Sequence, residues 1–177
     1  MPELFAWIGY LVSAWLAADF ITGFVHWWED RYAKPGWPIL GPLVAEPNEL
    51  HHADQTAFLR GSYWFRNSTS LIPSAGFALT FIALGQWWWL LVTAFASQAN
   101  EIHCWAHSGN HGRLVKALQE TGIIQNPRHH SRHHTRPFDS HFCVMTCWLN
   151  PVLDALGFWR GLEWVIRVVG RVKVKEA

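Results

Sequence analysis

The sequence predicts an all-α integral membrane helical bundle of about three spans, with an interfacial helix and a His-rich di-metal face on the cytoplasmic side. Three observations carry the fold class. Half of the 177 residues are hydrophobic and only 15% are charged, against roughly one quarter in soluble domains. Trp contributes 13 residues, and this side chain collects at membrane–water boundaries. The apolar stretches alternate with segments dense in His, Arg, Asn and Pro, so lipid does not surround the whole chain. Lys and Arg total 14 against 13 Asp and Glu. That balance speaks against polyanion binding, and no nucleic-acid partner is expected.

The first span is residues 4–28, interrupted only by Asp19 and His26, and about 20 apolar residues suffice to cross the hydrocarbon core. No Lys or Arg precedes it and no small-residue cleavage site follows, so a retained helix fits better than a removable signal peptide. Asp19 would be costly facing lipid and is expected inside the bundle. The Pro- and Gly-rich stretch from Pro35 to Pro47 reads as an ordered loop. Between Asn67 and Asn100 no charged residue occurs, room for two tight crossings at 69–84 and 87–106. Gly85-Gln86 is the natural turn and Trp87, Trp88 and Trp89 are interfacial anchors. One long tilted helix would instead place His51 and His103 on opposite sides of the membrane. The basic residues follow the first span and the hairpin, which puts the N-terminus outside. Residues 142–172 are apolar again but broken by Asn150-Pro151 and Asp154, and read as interfacial helices. A soluble docking helix is the competing reading for the tail. With no repeat or linker in view, residues 1–177 are expected to form a single membrane-embedded domain. The cysteines Cys104, Cys143 and Cys147 form no CxxC pair and read as small buried hydrophobes.

Eight of the eleven histidines fall into clusters at chelating spacing. His26 and Asp30 stand four apart, His51 and His52 are adjacent, His103 and His107 are four apart, and His130, His133 and His134 follow i, i+3, i+4. Residues at i and i+4 share a helix face, and the last three can converge on one stripe of a helix. Any one pair is weak, because a lone HxxxH is usually incidental. Four clusters, each beside a membrane boundary and on one side, point to metal. Neutral imidazole suits iron, copper and zinc, and Asp30 adds a hard oxygen ligand. Nine donors exceed the need of one ion and suit two with open positions, as an oxygen-activating di-iron centre requires. Soluble di-iron bundles use Glu-x-x-His motifs, and none occurs here. Glu101 and Asn100 are candidates to orient ligand imidazoles, while His111, His129 and His141 stay outside the ligand set, His111 and His141 with no obvious partner.

In order and spacing, GFVHWWED, ELHHADQTA, NEIHCWAH, PRHHSRHH and FCVMTCWLNPVLDALGFWRGLE resemble the lipid desaturase family that includes plasmanylethanolamine desaturase, the Kua domain. The likeness runs from about Asp19 to Glu163. It implies that the family's histidine pattern lands on His26, His51, His52, His103, His107, His130, His133 and His134, with its acidic residue on Asp30. It also implies an O2-dependent membrane lipid desaturase with two iron ions, making a vinyl ether in the sn-1 alkyl chain of an ether phospholipid. Breaking an unactivated C–H bond is beyond any side-chain base, so a metal and O2 must supply the reactivity. No GxGxxG fingerprint is present, so electrons must come from an external donor, cytochrome b5-like or ferredoxin-like. Arg60, Arg66, Arg128, Arg132 and Arg136 are the candidates to hold the phospholipid headgroup. The membrane is the inner one in a bacterium or the endoplasmic reticulum in a eukaryote. Two alternatives stay open: an acyl-lipid desaturase acting beside the carbonyl of a phosphatidylglycerol acyl chain, and a non-enzymatic membrane haem or metal-binding protein.

Overall fold

The first helix, α1 (Pro2–Arg31), is 30 residues long, about 45 Å at 1.5 Å per residue. In the computed structural model, which describes residues 2–109 and 111–175, it is the spine of an all-helical molecule. It is also the one helix, among the described residues, both long and apolar enough to cross a membrane. Its outer half exposes Leu4, Phe5, Trp7, Ile8, Leu11 and Val12, whereas Ala14 and Ala18 are completely buried. Small side chains at those two positions let α4 (Trp87–Ala96) lie close against it. Asp19 is buried as expected, accepting from Met145 N at 2.8 Å and Thr146 Oγ1 at 2.6 Å.

The loop after α1 is partly helical. Gly41–Ala45 form a π-helical turn that runs straight into α2 (Glu46–Ala53), so the expected loop of 35–47 shrinks to its first half. Gly41 is required there, because a Cβ would lie 2.0 Å from Pro35 O. Ser62 then caps α3 (Tyr63–Ala83), accepting from Phe65 N at 3.2 Å. α3 ends at Gly85, with φ +64°, where Gly85 N donates to Ile82 O and Gln86 N to Phe81 O at 2.8 Å. These paired bonds satisfy the last carbonyls of α3 and reverse the chain, so α4 packs back along α3.

The stretch 87–106 is not one helix. It breaks at Ser97-Gln98 into α4 and α5 (Ala99–His107). Ser70 Oγ of α3 donates to Ser97 O at 3.1 Å, and Glu101 N, which would take that carbonyl in a continuous helix, donates to Gln98 O instead. Four more helices follow: α6 (Arg113–Glu120), α7 (Pro127–His130), α8 (Leu149–Ala155) and α9 (Phe158–Val169). Residues 142–148 differ from expectation. They are a non-helical strap whose Phe142, Cys143, Met145 and Thr146 are fully buried, and helix begins only at Leu149. α9 keeps Trp164, Val165, Val168 and Val169 exposed and turns Trp159 inward onto Trp27, ring centroids 5.8 Å apart. Arg31 Nε and Glu163 Oε1, 2.7 Å apart, tie it to the end of α1.

Candidate metal centre

Four elements bring donors to one end of α1. α1 carries His26 and Asp30, α2 carries His51 and His52, α5 carries His103 and His107, and α7 carries His130. α7 stops there. Tight turns, with His133 N donating to His130 O at 2.9 Å, carry the chain to His133 and His134. The three therefore do not form one helical stripe. His130 and His134 point one way and His133 the other.

All nine candidate residues meet in two adjoining groups. His51, His103, His107, His130 and His134 form one, and His26, Asp30, His52 and His133 the other, with the ligand atoms of each group within 4.8 Å of one another. The neighbours His51 and His52 are split between them, as adjacent residues of a helix must be, since they point about 100° apart. His133 and His134 are divided likewise, their rings 5.2 Å apart.

The packing of these atoms fits cations. Nε2 of His103, His107 and His130 form a triangle with sides of 2.9, 3.1 and 2.7 Å. Each such nitrogen holds either a proton or a lone pair, so at least two of the three must face each other with like character. A cation in their midst removes the conflict, and two nitrogens about 2.1 Å from one ion at right angles sit about 3.0 Å apart. In the second group, His26 Nδ1 donates to Phe142 O and His133 Nδ1 to Ser140 O, both at 3.0 Å. A carbonyl only accepts, so the proton is on Nδ1 and each Nε2 presents a lone pair. Those lone pairs face Asp30 Oδ2 at 3.7 and 3.2 Å, and all three atoms are buried without a hydrogen bond. Lone pairs against a carboxylate oxygen again call for a positive ion between them. Asn48 Nδ2 donates to Asp30 Oδ1 at 2.7 Å and holds the carboxylate in place, and His52 Nε2 lies 2.9 Å from the same oxygen.

Electrostatics keeps the rings in the form a metal needs. Burial first, then the neighbouring imidazoles, push the His51 and His130 rings well below the ordinary histidine range and His134 down to about 2. A neutral imidazole is the ligand form.

The residues outside the ligand set have structural partners. Glu101 pairs with Arg66 at 3.0 Å and accepts from Asn67 Nδ2 at 3.0 Å, while Asn100 donates to Arg66 O. They lock α5 to α3 and do not orient imidazoles. Arg66 is thereby withdrawn from any headgroup, and Arg60 pairs with Asp54 at 2.7 Å. Arg128, Arg132 and Arg136 stay exposed in the segment that carries His130, His133 and His134. His111 Nε2 donates to Trp105 O at 2.8 Å. His141 is not isolated, since its Nδ1 lies 2.5 Å from Asp154 Oδ2, and His129 Nε2 accepts from Asn150 Nδ2 at 3.2 Å. Asn48 was missed from the sequence, although its i, i+4 spacing to His52 could have marked it. The carbonyls of Ser140 and Phe142 have no sequence signal, because every residue carries one.

Comparison with known proteins follows the same lines. The lipid desaturase domain model matches residues 15–177. The chain is 33% identical over 172 residues to plasmanylethanolamine desaturase 1 of Mus musculus, covering 89% of this chain and 64% of that protein. It is 30% identical over 171 residues to plasmanylethanolamine desaturase of Myxococcus xanthus, covering 88% and 59%. It is 29% identical over 178 residues to the chloroplastic fatty acid desaturase 4-like 1 of Arabidopsis thaliana, covering 93% and 56%. The chain thus spans less than two thirds of the length of each of these relatives. No solved structure matches it significantly.

Proposed function

The chain belongs to the lipid desaturase family, and from that premise we propose that it is a plasmanylethanolamine desaturase-like enzyme whose two donor groups hold two iron ions. The observation that carries this is the sorting of nine donors into adjoining sets of five and four. A single ion would leave about half of them unused, and a porphyrin has no plane to occupy among five rings so close, which disfavours the haem-carrier reading. Bound iron, with O2 as co-substrate, would supply the oxidising power to break C–H bonds at C1 and C2 of the sn-1 alkyl chain. Loss of the two hydrogens leaves a vinyl ether, and O2 takes up those two hydrogens, two electrons from an external donor and two protons from solvent to become two waters.

The chain's own residues do the rest. The nine ligands would hold the two ions, and the carbonyls of Ser140 and Phe142 set two of the rings. Arg128, Arg132 and Arg136 lie exposed beside His130–His134 and offer guanidinium forks to a phospholipid phosphate. The exposed apolar faces of α1 and α3 sit in lipid, in a single domain of residues 1–177 that crosses the membrane three times with the histidines on the cytoplasmic side.

Similarity to a fatty acid desaturase 4-like protein supports a second reading, oxidation of an acyl chain beside its carbonyl by the same centre. Mass spectrometry of lipids from a plasmalogen-free host expressing the protein separates the two. Vinyl ethers formed from supplied alkyl phospholipid are the expected product. Unchanged ether lipids with a new unsaturated acyl chain would favour the second reading, and no lipid change in iron-loaded cells would count against both.

A further inference from the structure

The buried strap of residues 140–146 is tied down from every side. Asp19 of α1 accepts from Met145 N and Thr146 Oγ1. Asn150, fully buried on α8, accepts from Cys143 N at 2.9 Å and donates to Cys143 O at 2.7 Å, and Gln125 Nε2 donates to the same carbonyl at 2.7 Å. Asp154 of α8 accepts from His141 N, at 3.2 Å to Oδ2, and sits against the His141 ring. On the α1 side the strap presses so close to Gly23 that a Cβ there would lie 2.8 Å from Cys143 Cα. These anchors lie far apart in sequence and share one product, the placement of the carbonyls of Ser140 and Phe142. Those carbonyls accept from His133 and His26, both in the four-donor group, whereas Nε2 atoms of His103, His107, His130 and His134 in the other group lie 2.7–3.1 Å from one another.

We propose that this strap is a tautomer clamp for the Asp30 site alone, with Asn150 and Asp154 as positioning residues that act through Phe142 and Ser140. An imidazole whose Nδ1–H is held by a carbonyl keeps its Nε2 lone pair aimed at the ion and gains basicity. Released from the carbonyl, the ring can flip or take the other tautomer, and the site loses a donor. The proposal rests on the two-metal reading above and assigns the strap to the site whose rings its two carbonyls reach.

Purified full-length protein in detergent, stripped of metal and titrated with Co2+, tests it through the visible absorption of each filled site. Asp30→Ala and His107→Ala assign the bands to the two groups. Asn150→Ala and Asp154→Ala should weaken cobalt at the Asp30 site at least about tenfold, the scale of lost outer hydrogen bonds, and leave the five-histidine site within about twofold. Should Asn150→Ala lose its helical circular dichroism, Asp154→Ala decides alone, because its side chain is at the rim, 20% exposed. Equal weakening of both sites in folded protein, or no weakening at either, overturns the clamp while leaving the metal centre standing. A wild-type protein that takes up no cobalt overturns both.

Discussion

At the scale of single residues, an imidazole has two nitrogens and the fold decides what each one does. His103, His107 and His130 turn Nε2 toward one another at 2.7–3.1 Å, whereas His111 turns its Nε2 to a backbone carbonyl of α5. The first three are arranged for a shared cation and the last for a helix end. Replacing His103 or His107 with Ala should therefore reduce lipid desaturation by at least about a hundredfold, since a lost ligand costs more than the lost outer partner of one. Membrane insertion should persist, because the apolar helices supply it. His111→Ala should lose only the stability of one hydrogen bond, about 1 kcal/mol, and keep most activity. Product formation by lipid mass spectrometry at matched expression measures both, and a His111 variant as inactive as the His107 variant would place the ligand set wrongly. Metal content is the companion measurement. Wild-type protein is expected to hold two iron ions and Asp30→Ala about one, and stoichiometric zinc in active protein would refute the iron assignment.

At the scale of elements, the turn between α3 and α4 shows which features a sequence reveals. Gly85 follows a charge-free run and precedes three tryptophans, and its φ of +64° is one that side-chain-bearing residues resist. Gly85→Ala should destabilise the folded protein by about 1–2 kcal/mol. Gly76→Ala, in the middle of α3 with open space around its Cβ, should be neutral or stabilising by up to about 1 kcal/mol. Denaturant unfolding in detergent compares them, and equal effects would remove the turn argument. Local patterns also marked His26 with Asp30 on α1 and His103 with His107 on α5, because i, i+4 spacing is a property of one helix. They did not mark the break at Ser97, which a serine on another helix enforces. They misread the run from Phe142 to Trp148 as helix. That run is as apolar as an amphipathic helix, and its backbone is satisfied instead by Asp19, Gln125 and Asn150, partners up to 126 residues away. The division of His130, His133 and His134 was equally hidden, since it depends on where α7 stops.

At the scale of the whole molecule, the two ends of the bundle have opposite character, and the proposed three-span topology makes this testable. The histidine groups lie at the C-terminal end of α1, where His26 and Asp30 meet α2 and α5. The Gly85 turn lies toward the other end. Trp88 Nε1 donates to Ser13 Oγ, and Trp87 faces Trp7 and Tyr10 across an apolar groove. Ser13 and His26 are separated by about 20 Å along the helix at 1.5 Å per residue. α3, with 21 residues, covers about 31 Å, close to the thickness of the hydrocarbon core. The return path is α4 followed by α5, broken at Ser97 but continuing to the histidines. His51 and His103 belong to one donor group, so the chain between them must cross an even number of times. A cysteine at Gln86, which is exposed, is therefore expected to react with an impermeant reagent from outside the cell. Cysteines at Asp54 and Gly112 should react only after the membrane is opened, all in a background lacking Cys104, Cys143 and Cys147. If the Asp54 and Gly112 positions were labelled from opposite sides, α3 to α5 would form a single crossing, and the five-histidine group could not assemble in the membrane-embedded protein.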